Sequence, residues 1–121
     1  MNELAHFHAL PIEIAKRMEA WAVEARSALS QSTLRAYKAD AAAYALWCEE
    51  SGLNALPAAP ESIAVFLRRE AETKSVATVR RRAATISRLH KAAGVENPCE
   101  HELVKLALKG IAKERLNKAS I

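Results

Sequence analysis

The sequence predicts an all-α domain, a compact bundle of about five helices, and three observations carry that reading. Apolar residues recur at three- and four-residue steps through most of the chain. The prolines and glycines fall between these periodic segments, with Gly110 the exception. No stretch shows the alternation of a convincing strand, and there is no internal repeat or low-complexity tract.

Taken in order, Pro11 suits the first turn of a helix that runs to about Ala28, with Ile14, Met18, Trp21, Ala25 and Leu29 on one face. Ser30 or Ser32 caps a second helix, TLRAYKADAAAYALWCEES, which stops at Gly52. Its buried stripe is Leu34, Tyr37, Ala41, Tyr44 and Cys48, with Trp47 flanking. The loop GLNALPAAP carries Pro57 and Pro60, and Pro60 leads into a short third helix, ESIAVFLRREAE, that buries Ile63, Phe66 and Leu67. Ser75 caps a fourth helix ending at Gly94. Asn97 and Pro98 start a fifth, CEHELVKLALKGIAKERL, which tolerates Gly110 at a cost of about 1 kcal/mol against alanine.

A chain of 121 residues, 50% of them apolar, has room for one domain with a single modest core. Residues 1–10 read as a flexible N-terminus, 11–116 as the helical domain and 117–121 as the start of a linker. Cys48 and Cys99 lie far apart with no C-x-x-C spacing, which suits a reducing cytoplasm better than a disulfide framework or a metal ribbon. The opening MNELAHFHALP is too polar for a signal peptide, and no apolar run approaches the ~18 residues of a membrane span. The expectation is a soluble cytoplasmic protein with no membrane partner.

The net charge of +4 is localised. The stretch SVATVRRRAATISRLHKAAG, Ser75 to Gly94, holds Arg80, Arg81, Arg82, Arg88 and Lys91 and no acid, leaving the remainder close to neutral. Placed on a helix at about 100° per residue, Val76, Val79, Ala83, Ile86 and Leu89 form a core face. Ala77, Arg81, Ala84 and Arg88 fall opposite, flanked by Arg80 and Lys91 on one edge and by Thr78 and Thr85 on the other; Arg82 lies nearer the core boundary. Small residues let such a strip approach a DNA groove closely, and guanidinium forks offer donors to phosphates and base edges. The alternative is a solvated helix face, but such faces ordinarily mix signs for pairing along the helix, and this one does not.

The second helix turns Arg35, Ala36, Ala39, Ala42, Ala43 and Leu46 away from its core stripe, with Thr33 near its start. The alanines are either helix-favouring filler or a surface for close approach. Beside the fourth helix they make a second prong of a fork that straddles a duplex.

From about Leu29 to Glu114 the chain resembles the N-terminal core-binding (SAM-like) domain of Cre-like tyrosine recombinases, also called phage integrases. The landmarks are S-x-x-T at Ser30 to Thr33, W-C at Trp47 and Cys48, P-A-x-P-E at Pro57 to Glu61, S-V-A-T at Ser75 to Thr78, and L-H-K-A-A-G at Leu89 to Gly94. No single landmark is specific; the set at these spacings is. The resemblance implies that the second and fourth helices lie against double-stranded DNA. Thr33, Arg35 and Ala36 match DNA-facing positions of the second helix, and Ala77, Thr78, Arg81 and Arg82 those of the fourth. Ala36 and Ala77 stand where Cre itself has longer side chains, so any base preference there differs. Arg80, Arg81 and Arg82 make this version more basic, favouring phosphate attraction. The fifth helix, with Leu103, Leu106, Leu108 and Ile111, resembles the family's protomer-contact helix; on its own residues it reads equally as a helix buried on two sides.

The family's catalytic residues, an Arg, a Lys, a His-x-x-Arg pair and a tyrosine nucleophile, belong to a C-terminal domain. No His here is followed by Arg at the third place, and Tyr37 and Tyr44 sit on the core stripe as packing residues. No catalytic residue is therefore expected in this chain, and the residues after 116 read as leading toward an absent catalytic domain. His6, His8, Cys99 and His101 match no known metal-ligand spacing. Neither a Gly-rich phosphate loop nor a nucleophile beside a base is evident, so no metal, cofactor or small-molecule substrate is expected. The expected partners are double-stranded DNA and other protomers of a bacterial or phage recombinase, close to the nucleoid. The alternative from another class is a helical protein-interaction adaptor that docks a partner through the second or fifth helix. A free-standing helix-turn-helix regulator fits less well, since no short Gly-containing turn precedes a recognition helix.

Overall fold

The structure, a computed structural model, describes residues 7 and 10–119. Its elements are α1 (Ile12–Ala28), α2 (Gln31–Ser51), α3 (Pro60–Ala71), α4 (Val76–Ala93) and α5 (Glu102–Ala119), with a 3-10 turn, Pro98–Glu100, before α5. Among the described residues there is no strand, and the all-α bundle expected from the sequence is what forms.

Helices α2 and α4 are punctuated alike. Ser30 and Ser75 stand in extended backbone before them, and each Oγ accepts the N–H of the residue three on, Thr33 or Thr78, at 3.2 Å. Each serine also donates to that threonine's hydroxyl, at 2.9 and 3.1 Å. Both helices stop at a glycine in the left-handed region, Gly52 at φ 66° and Gly94 at φ 70°. Leu53 N–H then reaches back to the Cys48 carbonyl and Val95 N–H to that of His90, which satisfies carbonyls the helix ends would otherwise leave bare.

Helix α4 is the hub, with α1, α2, α3 and α5 all packed on it, while α3 also packs on α5. The core joins Tyr44, Phe66, Leu67, Val79, Ile86, Val104 and Ile111. The Tyr44 ring meets Phe66 edge-on at 5.6 Å, and its hydroxyl donates to the Ala55 carbonyl at 2.7 Å, tying α2 to the loop that follows it. Along α1 the buried residues are Ile14, Met18, Ala22 and Ala25. Trp21, expected on that face, is only half-buried and lies 6.3 Å from the Tyr37 ring; Leu29 has already left the helix.

Two of the sequence landmarks meet in space. His90 is fully buried, and its Nε2 accepts the Ala58 N–H at 3.0 Å while its Nδ1 lies 2.7 Å from the Ile86 carbonyl. An amide can only donate and a carbonyl only accept, so the ring is the neutral tautomer with its proton on Nδ1. Burial accordingly holds its pKa below the usual histidine value. The histidine of L-H-K-A-A-G thus fastens the loop of P-A-x-P-E onto α4.

The fifth helix starts later than the sequence suggests. Asn97 accepts the Cys99 N–H at 3.0 Å and donates to the Ser87 hydroxyl at 2.7 Å, so the chain makes a turn there. His101 is extended, and its Nδ1 accepts the Leu103 N–H, beginning a new helix at Glu102. That helix also runs further: residues 117–119, expected to open a linker, continue it. Arg115 donates from Nη2 to the carbonyls of Ala71 at 3.1 Å and Lys74 at 3.0 Å, which pins the end of α3 to α5.

Candidate nucleic-acid interface

Four neighbouring helices leave α4 a narrow exposed strip, made of Ala77, Arg80, Arg81, Ala84, Arg88 and Lys91. On α2, Arg35 and Ala39 are exposed and Thr33 and Ala36 half-buried. The two surfaces are continuous. The Arg88 guanidinium lies over the Tyr37 ring, 5.5 Å from its centroid, and Arg81 reaches Asp40. As α2 advances from Tyr37 to Asp40, its partner on α4 steps back from Arg88 to Arg81.

Asp40 is the residue that reading the sequence missed. It is 1% exposed and accepts three hydrogen bonds: from Arg81 Nε at 3.0 Å, Arg81 Nη2 at 2.8 Å and Thr85 Oγ1 at 2.9 Å. Hydrogen bonding to this carboxylate pushes the Arg81 pKa up further and keeps it charged. Arg82 turns the other way, its side chain 14% exposed, and pairs with Glu70 of α3; its Nε lies 3.5 Å from Asp40 Oδ1 without a hydrogen bond. Two arginines and two acids thus form a neutral network between α2, α3 and α4. The acid-free stretch does mix signs after all, with the acids supplied from other helices.

This network corrects one expected position and accounts for another. Thr85 is not on the edge of the exposed strip: it is 2% exposed, its hydroxyl turned inward to Asp40, because α2 packs over that side of α4. Arg82 lies near the core boundary, as its place on the helix implies, and is held there by Glu70. The hydroxyls of Thr33 and Thr78 are occupied as acceptors of their helix-capping serines. Arg35, Arg80, Arg88 and Lys91 make no ion pair among the described residues, and Arg81 remains half-exposed despite its partner.

Helix α5 divides by face. Ile111, expected at a protomer contact, is 4% exposed and belongs with Val104 and Ala107 to the chain's own core, and Leu108 packs against that core. Leu103 and Leu106 are exposed, as is Leu116. Tyr44 is buried and Tyr37 half-buried beneath Arg88. Burial raises the Cys48 thiol pKa and lifts that of Cys99 to about 11, so neither is a ready nucleophile. His6 and His8 lie outside the described residues; among the described ones no three His, Cys, Asp or Glu side chains converge. No described helix is long and apolar enough to cross a membrane.

Residues 21–97, from within α1 through α4, match the family described as phage integrase, N-terminal SAM-like domain. The chain is also 35% identical over 89 residues to an integrase/recombinase xerD homolog of Selenomonas ruminantium, an alignment covering 71% of this chain and 26% of that relative. The matched stretch thus amounts to about a quarter of the relative's length. The family match takes in both serine-capped helices, the Asp40–Arg81 pair and the His90 clasp, and extends over more than half of the sequence. The chain belongs to the phage integrase N-terminal SAM-like domain family of tyrosine recombinases.

Proposed function

We propose that this chain is the DNA-gripping part of a site-specific tyrosine recombinase, holding a duplex through α2 and α4 while another domain carries out strand cleavage. The observation that carries the reading is the continuous strip of Ala77, Arg81, Ala84 and Arg88 beside Arg35 and Ala39, left clear although α4 is packed on by four helices. Alanines permit close approach, and the flanking cations answer phosphates. The family assignment supports the same partner.

The charge count sets the expected strength. If Arg35, Arg80, Arg88 and Lys91 each neutralise one phosphate, log K falls against log salt with a slope near −3.6. The test is fluorescence anisotropy of a random duplex of about 30 base pairs over a salt series starting at about 20 mM. Alanine at any of the four should flatten the slope by about 0.9, and Lys113→Ala on α5 should leave it unchanged. A folded protein with no affinity at low salt would rule the reading out for this domain. The exposed side of α5, with Leu103 and Leu106, is the surface we assign to contact with another protomer on DNA; it is the expected docking face should DNA binding fail.

A further inference from the structure

We infer that Asp40 is a positioning residue for DNA recognition, holding Arg81 as a fixed two-donor fork rather than a mobile counter-charge. The inference rests on the reading of α2 and α4 as the DNA-facing surface. A guanidinium has five N–H groups. Asp40 takes two of them, Nε–H and one on Nη2, along one edge. The adjacent edge, with one N–H on Nη1 and the remaining one on Nη2, is left without a protein acceptor among the described residues. That edge matches a pair of acceptors in one plane, the O6 and N7 of guanine in the major groove.

Three features support positioning over simple pairing. The carboxylate is fully buried while its guanidinium partner is half-exposed, so the fixed group lies inside and the presented group outside. Thr85 donates to the same Oδ2 that receives Arg81 Nε, which fixes the plane of the carboxylate. The neighbouring Arg82 donates to Glu70 and comes only within 3.5 Å of Asp40 Oδ1 without a hydrogen bond, so the bidentate geometry is left to Arg81. An arginine held this way surrenders little rotamer freedom on binding. Alanines at 77 and 84, one turn to either side, leave the fork unobstructed.

Simple charge and positioning predict opposite signs. Asp40→Asn removes a negative charge from the DNA side and on charge alone would tighten duplex binding. Positioning predicts roughly tenfold weaker binding to guanine-containing duplex, the scale of one lost bidentate contact. Arg81→Lys keeps the charge but has no fork, and should weaken binding about as much as Arg81→Ala. In the Arg81→Ala background, Asp40→Asn should cost nothing more. The experiment is anisotropy of the wild type and these variants on duplexes with guanine and with 7-deazaguanine, each protein first checked by circular dichroism. Loss for Asp40→Asn and Arg81→Lys, largely abolished by the 7-deaza substitution, supports the inference. Wild-type affinity in Arg81→Lys overturns it, also when Asp40→Asn does not fold; equal losses on both duplexes overturn the guanine assignment. If Arg81→Ala and Arg88→Ala both bind normally, the DNA-facing reading of α4 itself falls. If those two weaken binding while Arg81→Lys does not, that reading stands and only the positioning role is lost.

Discussion

Alanine at Arg82 is expected to destabilise the domain far more than alanine at Arg81 or Arg80, although the three residues are consecutive. Arg82 is 14% exposed and faces Glu70, which is equally covered. Deleting one partner of a buried pair strands the other, at a cost of about 3–5 kcal/mol. Asp40 keeps Arg81 and Thr85 when Arg82 is gone, so the lower end, about 3 kcal/mol, applies. Unfolding entropy for a chain of 121 residues is roughly 0.25 kcal/mol per degree, so the melting temperature should fall by about 12 °C. Arg81→Ala removes a half-exposed donor and leaves Asp40 with Thr85 and the nearby Arg82, at about 1–2 kcal/mol, or about 4–8 °C. Arg80 is exposed with no acid partner among the described residues, and its loss should stay within about 0.5 kcal/mol. Thermal melts followed by far-ultraviolet circular dichroism read all three. An Arg82→Ala melt within a few degrees of wild type, or no lower than that of Arg81→Ala, would show that the Glu70 pair does not organise this junction.

Other expectations follow from the same contacts. His90 has a lowered pKa in the fold, so below the unfolded value of about 6.5 the unfolded chain binds more protons. Stability from this residue is therefore complete above that pH and declines as pH falls toward the folded pKa. Urea midpoints from pH 7.5 to 5.5 should drop in the wild type and change less in His90→Asn; parallel profiles would contradict the neutral clasp. Gly52→Ala meets no atom within 4 Å and should cost only the left-handed backbone penalty of about 1 kcal/mol. Gly94→Ala should cost clearly more, because its Cβ would come 2.7 Å from Arg17 Nε, itself bound to the Ala93 carbonyl; equal costs in chemical denaturation would dismiss that contact. On α5, Ile111→Ala should lose about 2–5 kcal/mol, whereas Leu106→Ala should stay within about 0.5 kcal/mol; similar losses would mean that α5 is seated differently.

What could be read from the sequence was local. The serine caps, the terminal glycines and Pro60 act within three or four residues of themselves, and all lie at or within one residue of the expected helix ends. The start of α5 was missed because Asn97 and His101 each divert a backbone N–H two residues on, a competition that hydrophobic spacing does not register. Thr85 was misplaced because a helical wheel assumes one buried face, and α4 has neighbours on several sides. The acids that answer Arg81 and Arg82 come from α2 and α3, with Asp40 separated from Arg81 by 41 positions and Glu70 from Arg82 by 12. A signal for Asp40 was nevertheless present. It sits three residues after Tyr37 and four before Tyr44, on the buried stripe, where a carboxylate requires a partner.

The central claim, that α2 and α4 together form the DNA surface, is tested most directly by mapping backbone amide shifts of the labelled chain as a short duplex is titrated in at low salt. The account predicts perturbations concentrated at Thr33, Arg35, Ala36, Ala77, Arg81, Ala84 and Arg88, with the exposed side of α5 around Leu103 and Leu106 unmoved. Perturbations centred on α5, or spread evenly over the surface, would contradict it.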